Sequence, residues 1–101
     1  MIGYRFLPPA EEEMVGALEF YEAASSGLGR DFLSDVQRSI DLLREQPNLG
    51  RAVGRGMRRA ILSRFPFSLI YAVEQDAILI VAVAHHKRRP GYWRGRLPRR
   101  R

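Results

Sequence analysis

The chain has 101 residues, 46% of them hydrophobic, with no cysteine and a formal net charge of +6. That length suits one domain with a modest core, residues 1–101, and the missing cysteines exclude disulfides and thiolate chemistry. No apolar run approaches the ~18 residues of a membrane span, and the opening MIGYRFLPPAEEE turns acidic early, so neither a signal peptide nor a membrane partner is expected and a cytoplasmic location fits.

Taken in chain order, Gly3 to Leu7 is short, aromatic-rich and stopped by Pro8-Pro9, which predicts a strand. Ala10 to Ser25 predicts a helix. Glu11, Glu12 and Glu13 occupy its first turn, where carboxylates favour the positive end of the helix dipole. Met14, Ala17, Leu18, Tyr21 and Ala24 recur at helical spacing and form an apolar stripe. Leu28 to Gln46 predicts a second helix, striped by Leu28, Phe32, Val36, Ile40 and Leu43 and stopped at Pro47-Asn48-Leu49-Gly50. The short joint between the two implies an antiparallel hairpin.

Gly50 to Gly56 reads as a basic, glycine-rich loop; it lacks the GK[ST] ending of a phosphate-binding loop. Met57 to Phe65 alternates loosely as a strand, and Phe67 to Glu74 alternates better. After a Gln75-Asp76 turn, Ala77 to Ala84 is apolar on both faces, as a central strand requires. The order is β-α-α-β-β-β. It predicts an α+β fold with an antiparallel-rich mixed sheet of four strands and the helix hairpin on one face. The basic tail, residues 97–101, is expected to fray.

Charge is divided between the halves. Residues 1–50 hold four Arg and nine Asp or Glu, a net −5; residues 51–101 hold thirteen Lys or Arg and two acids, a net +11. Sixteen of the seventeen basic residues are Arg, whose planar fork suits phosphate and carboxylate. The Arg preference alone also fits a compositional bias; the asymmetry points to a polyanionic partner or an acidic protein segment. It would also permit self-association.

The segment RFPFSLIYAVEQDAILIVAVAHHKRRPGYWRGR carries a more specific signal. Arg64, Phe65, Pro66, Phe67, Ile70 and Tyr71, then Ala82, His85, Arg88, Pro90, Tyr92 and Trp93, resemble the C-terminal half of the RelE/ParE superfamily of bacterial toxins. Gly27 to Pro47 resembles the second helix of ParE-like members, the plasmid-stabilisation type. The resemblance implies a type II toxin neutralised by a cognate antitoxin protein, without a cofactor. ParE-like members are associated with inhibition of DNA gyrase. RelE-like members cut mRNA on the ribosome, which leaves a metal-independent endoribonuclease as the alternative.

Under that alternative the resemblance implies Tyr92, Arg88 and His86 as the catalytic set, supplying proton transfer and phosphate stabilisation. Two positions depart from the nuclease pattern. Ser68 and His86 stand where RelE-like toxins carry arginines. Under the binding reading, His85, Lys87, Arg88, Arg89, Tyr92, Trp93, Arg94 and Arg96 form a surface for the target or a nucleic acid. Arg88, Arg89, Arg94 and Arg96 are expected to be exposed. Tyr92 and Trp93 can equally fold back and cover the open end of the sheet. Adjacent residues on a strand face opposite ways, so His85 and His86 are not expected to share a site or chelate a metal. Met14, Leu18 and Tyr21 are candidates for the antitoxin surface along their exposed flank, or are core.

Overall fold

The computed structural model describes residues 1–97; the expected fraying of the tail falls on 98–101, outside them. Strand β1 (Gly3–Phe6) leads into helix α1 (Pro8–Ala24). Helix α2 (Leu28–Glu45) follows, then strands β2 (Arg51–Gly54), β3 (Met57–Ile61), β4 (Phe67–Val73) and β5 (Ala77–His85). The sheet order is β1-β5-β4-β3-β2. β1 lies parallel to β5 and the other pairs are antiparallel.

The sheet therefore has five strands rather than four. The expected loop after Gly50 is in part β2, with Arg51 opposite Arg59 and Ala52 opposite Arg58. Its reversal uses Gly54, Arg55 and Gly56, all at positive φ. The same glycines that gave the segment its loop character build the turn of a hairpin. β3 ends at Ile61, short of the expected Phe65, because Asp35 on α2 captures the chain beyond it. That carboxylate is 2% exposed and accepts hydrogen bonds from the Ser63 hydroxyl and from the Arg64 and Phe65 N–H groups.

Helix α1 begins two residues earlier than expected. Pro8 and Pro9 take its first two positions, where an N–H would have no helical partner. The helix hairpin turns at Gly27, φ 88°, and Gly27 and Gly29 donate their N–H groups to the Glu22 carboxylate. Gly29 sits where the helices touch: a Cβ there would lie 2.9 Å from the Leu18 carbonyl oxygen.

Both helices cover one face of the sheet. Phe32, Val36, Ile40 and Leu43 of α2 meet Phe67, Leu69, Tyr71, Ile78, Ile80 and Val83 of the sheet. The opposite face carries a second cluster, Met57, Ile70, Ala72, Leu79, Val81, Ala82 and Ala84. Among the described residues neither α1 nor α2 lies over it. Trp93 from the C-terminal segment does.

Central β5 does not alternate evenly. Tyr71 opposes Ile80 and Ile70 opposes Ala82, so Val81 is passed over as a bulge. Ile78 and Ile80 face the helices, Val81 and Ala82 both face the second side, and Val83 faces the helices again. The extra residue reverses the phase of the strand ahead of the two histidines.

Replacing Asp35 with Ala leaves three donors without their acceptor. The variant is expected to lose about 3 kcal/mol of stability, read from the midpoint of urea unfolding by circular dichroism. A loss under about 1 kcal/mol would mean that the β3–β4 connection is held by something else.

Candidate functional site

Beyond Ile80, no strand among the described residues pairs with the outer side of β5. β1 pairs with it only from Ala77 to Ile80 before the chain turns into α1. The exposed edge is closed by two side chains. Glu13 of α1 accepts the Val83 N–H at 3.0 Å, and Arg96 donates to the Val81 carbonyl at 3.0 Å. The two also grip each other in a fork, with both N–O distances at 2.9 Å. The Tyr92 hydroxyl donates to the other Glu13 oxygen at 2.7 Å.

This cluster controls protonation. Burial alone would raise the Glu13 carboxyl. The Arg96 guanidinium, the Tyr92 hydroxyl and the Val83 N–H outweigh it and hold the group below the usual carboxylate range. Tyr92 moves the other way. Burial first, then its bond to Glu13, pushes the phenol up to about 12. Arg88 lies over the Tyr92 ring at 3.9 Å and Arg96 at 5.1 Å. The ring is held between two cations by its electron-rich face.

Trp93 is 6% exposed and packs in the second-face cluster. The indole covers the sheet. Arg94 to Arg96 form a short 3₁₀ turn that carries Arg96 back to the strand edge. Arg96 was expected among the exposed cations; its side chain is only 20% exposed, because the open edge of β5 and Glu13 draw it inward. Lys87, Arg88, Arg89 and Arg94 are exposed.

The strand ends at His85, so the expected alternation does not carry through His86; the two rings find different partners, but both line one cavity. His85 packs edge-on against Phe67, with ring centroids 4.9 Å apart, and its Nδ1 accepts the Lys87 N–H at 3.0 Å. His86 Nε2 meets the Ser68 hydroxyl at 3.1 Å on the other face. Ser68, His86, Arg59, Arg88, Arg89 and Arg94 share the wall of an open cavity of about 230 Å³ with Tyr92 and Trp93. The structure thus brings Tyr92, Arg88 and His86 to one cavity. No group of three metal-ligating side chains occurs among the described residues.

Met14, Leu18 and Tyr21 all pack against the main core. Tyr21 stacks with Phe32, Phe65 and Phe67. Met14 also borders a second cavity, of about 320 Å³, with Tyr4, Phe6, Leu33 and Gln37 between β1 and α2.

Two important residues escaped sequence reasoning. Glu13 is one of three consecutive glutamates, and only the α1 phase places it over β5 rather than toward solvent. Arg59 belongs to an irregularly alternating strand whose partner, β2, carries the composition of a glycine-rich loop.

Residues 4–90 match the family model described as the ParE toxin of type II toxin-antitoxin system, parDE. The chain belongs to this family. Its fold is similar to a solved structure titled "Chromosomal ParDE TA system from P. aeruginosa", with a TM-score of 0.60 and 20% identity, over 84% of this chain and 96% of that one. No curated protein gives a significant match. No helix among the described residues is long and apolar enough to cross a membrane.

The cluster yields a prediction at each end of the pH scale. Glu13→Gln should cost about 2 kcal/mol, because the amide keeps one acceptor oxygen but loses the charge that pairs with Arg96 and puts an NH2 donor where the second oxygen accepted. The difference from the parent should shrink as pH falls through the lowered Glu13 value, since a depressed carboxyl stabilises only while ionised. Tyr92 has the opposite sign. Its contribution is full below pH 10 and lost as pH rises through about 12. Tyr92→Phe should remove that part of the alkaline loss, read as the midpoint of chemical unfolding between pH 8 and about 11.5.

Proposed function

We propose that this ParE-family chain arrests growth by binding a target protein, DNA gyrase, and that a cognate antitoxin neutralises it. The observation that carries the binding reading is the Tyr92 hydroxyl. It donates to Glu13 at 2.7 Å and its pKa is pushed up to about 12. A phenol so held is a poor base at neutral pH. Ser68 is 3% exposed and bound to His86, so neither position supplies the fixed cation of the nuclease pattern.

The target surface in this reading is the exposed segment after β5: Lys87, Arg88, Arg89 and Arg94, with His85, Tyr92, Trp93 and Arg96 as its support. The antitoxin surface is the apolar groove between β1 and α2. Met14 and Leu33 line it and Tyr4 and Phe6 bring β1 to its rim, while Leu18 and Tyr21, on the same helix as Met14, pack against the core and are not part of its lining. An amphipathic antitoxin segment would bury its apolar face there.

A second reading has one observation in its favour: Tyr92, Arg88 and His86 do share a cavity. In that reading they cut mRNA on the ribosome.

Induced expression without antitoxin, with labelled thymidine and labelled amino acid followed in parallel, separates the two. DNA synthesis is expected to fall while translation continues for the first minutes. Translation stopping first would overturn the gyrase reading. Tyr92→Phe is expected to retain its toxicity, whereas an endonuclease using that hydroxyl would lose most of its activity.

A further inference from the structure

We infer that copies of this chain associate head to tail, with Phe20 of one copy seated in the arginine-rimmed cavity on the second sheet face of the next. The contact goes beyond the proposed function and does not depend on which protein the toxin targets.

The argument begins with a side chain that folding does not use. Phe20 is 69% exposed. α1 turns Ala10, Met14, Ala17, Leu18 and Tyr21 to the core. Glu12, Gly16, Glu19 and Ala23 recur at three- and four-residue spacing on the side that faces away, and Phe20 stands at the margin of that ridge. The positions a helical side chain can lie against are three and four residues away. For Phe20 these are Gly16, Ala17, Ala23 and Ala24, none of which can cover a ring. Its one aromatic contact is edge-on with Tyr21, centroids 5.5 Å apart. Gly16 is equally unexplained from within. A Cβ there would meet nothing within 4 Å, so no internal packing requires a glycine in mid-helix, where it weakens the helix.

The surroundings of the ring are anionic. Among the described residues, Glu11, Glu12 and Glu19 are exposed and make no ion pair; the paired acids are Glu13, Asp35, Asp41 and Glu74. Two helical turns separate Glu12 from Glu19, about 10 Å.

The cavity on the second face is the complement. It holds about 230 Å³, and a cavity of about 150 Å³ accommodates a benzene ring. Val53, Ile70, Ala84 and Trp93 give it apolar walls. Arg59, Arg88, Arg89 and Arg94 are exposed around it, and among the described residues none of them has a carboxylate within ion-pair distance. Arg59 lies on β3 and the other three follow β5, two strand spacings away, roughly 10 Å. The carboxylates on α1 and the two banks of arginines therefore have matching spans, with an aromatic ring beside the first and an apolar recess between the second.

Only unlike faces fit. α1 against α1 would set glutamates on glutamates, and two second faces would set arginines on arginines. The acidic ridge and the cavity lie on opposite sides of the sheet, so no copy can fill its own cavity, and the contact repeats from copy to copy without a two-fold axis. On the proposed function, the segment so covered is the one that meets the target, and association holds free toxin in reserve.

The test is sedimentation velocity of the purified full chain at rising concentration, in 50 and 200 mM salt. The average mass is expected to climb past two copies at 50 mM and to fall back at 200 mM, as charges at a partly exposed contact are screened. Phe20→Ser and Arg59→Ala/Arg94→Ala should each weaken association about tenfold or more. Both are checked by circular dichroism, and Arg59→Glu alone serves if the double variant fails to fold. The deciding measurement is their mixture. The first variant keeps the cavity and the second keeps the ring, so equimolar amounts should form a 1:1 complex and nothing larger. The inference is overturned by a parent chain that stays monomeric at 50 mM salt, by a mass that stops at two copies, or by two variants that ignore each other when mixed. A chain that assembles in this way and spares gyrase would sink the proposed target and leave this contact standing.

Discussion

The edge that β1 leaves open on β5 is the constraint around which the rest of the molecule is arranged. β5 runs to His85, five residues past the last one paired with β1. Its outward N–H and C=O groups there must find partners or stay wet. A sixth strand would provide them. This chain instead uses one carboxylate and one guanidinium, bonded to the strand and to each other. Glu13 comes from the first helix and Arg96 from the end of the described chain, so the pair joins segments 83 residues apart. Moving these charges out of water costs free energy, which their fork and the two backbone bonds offset only together.

The aromatic coverage of the sheet follows from that closure. With Arg96 anchored, the segment before it must cross the second face, and Trp93 joins the cluster that holds the alanines at 82 and 84. Small residues there leave room for an indole. Tyr92 is drawn to the remaining Glu13 oxygen and becomes a neutral, fixed hydrogen-bond donor. Arg88 then has a ring to lie on, which preorganises its guanidinium at the cavity wall. One carboxylate on a helix therefore sets the posture of a surface built almost wholly from the other end of the chain.

Much of this was legible beforehand, for physical reasons. α2 shows its core face as a plain three-and-four repeat. β4 alternates, and an eight-residue apolar run can hardly be anything but a central strand. The departures have equally definite causes. In AILIVAVA both faces are apolar, so no polarity marks the bulge at Val81, although that bulge decides which way His86 points. In GRAVGRG the glycines serve a hairpin turn, and Val53 alone hints at a strand. Glu13 differs from Glu11 and Glu12, and Arg96 from Arg94, only in which partner the folded chain brings near. Periodicity sees faces; it does not see which of several like charges meets a counter-charge 83 positions away.

The charge division between the halves becomes a division between layers. α1 carries five glutamates and no cation, while the uncovered sheet face gathers unpaired arginines. Glu13 and Arg96 join the two across the edge of β5. In the free protein the arginines face water and salt, and screening over about 8 Å keeps their mutual repulsion small. Covering them with an uncharged surface would strip that solvent and leave the repulsion uncompensated. Only an anionic partner can displace the water without that penalty. The second face is thus tolerable when bare and unfavourable under an apolar cover, while the groove on the helix side, lined by Met14, Leu33 and Phe6, has the reverse preference. Two partners of different chemistry can be sorted between the two sides by desolvation alone.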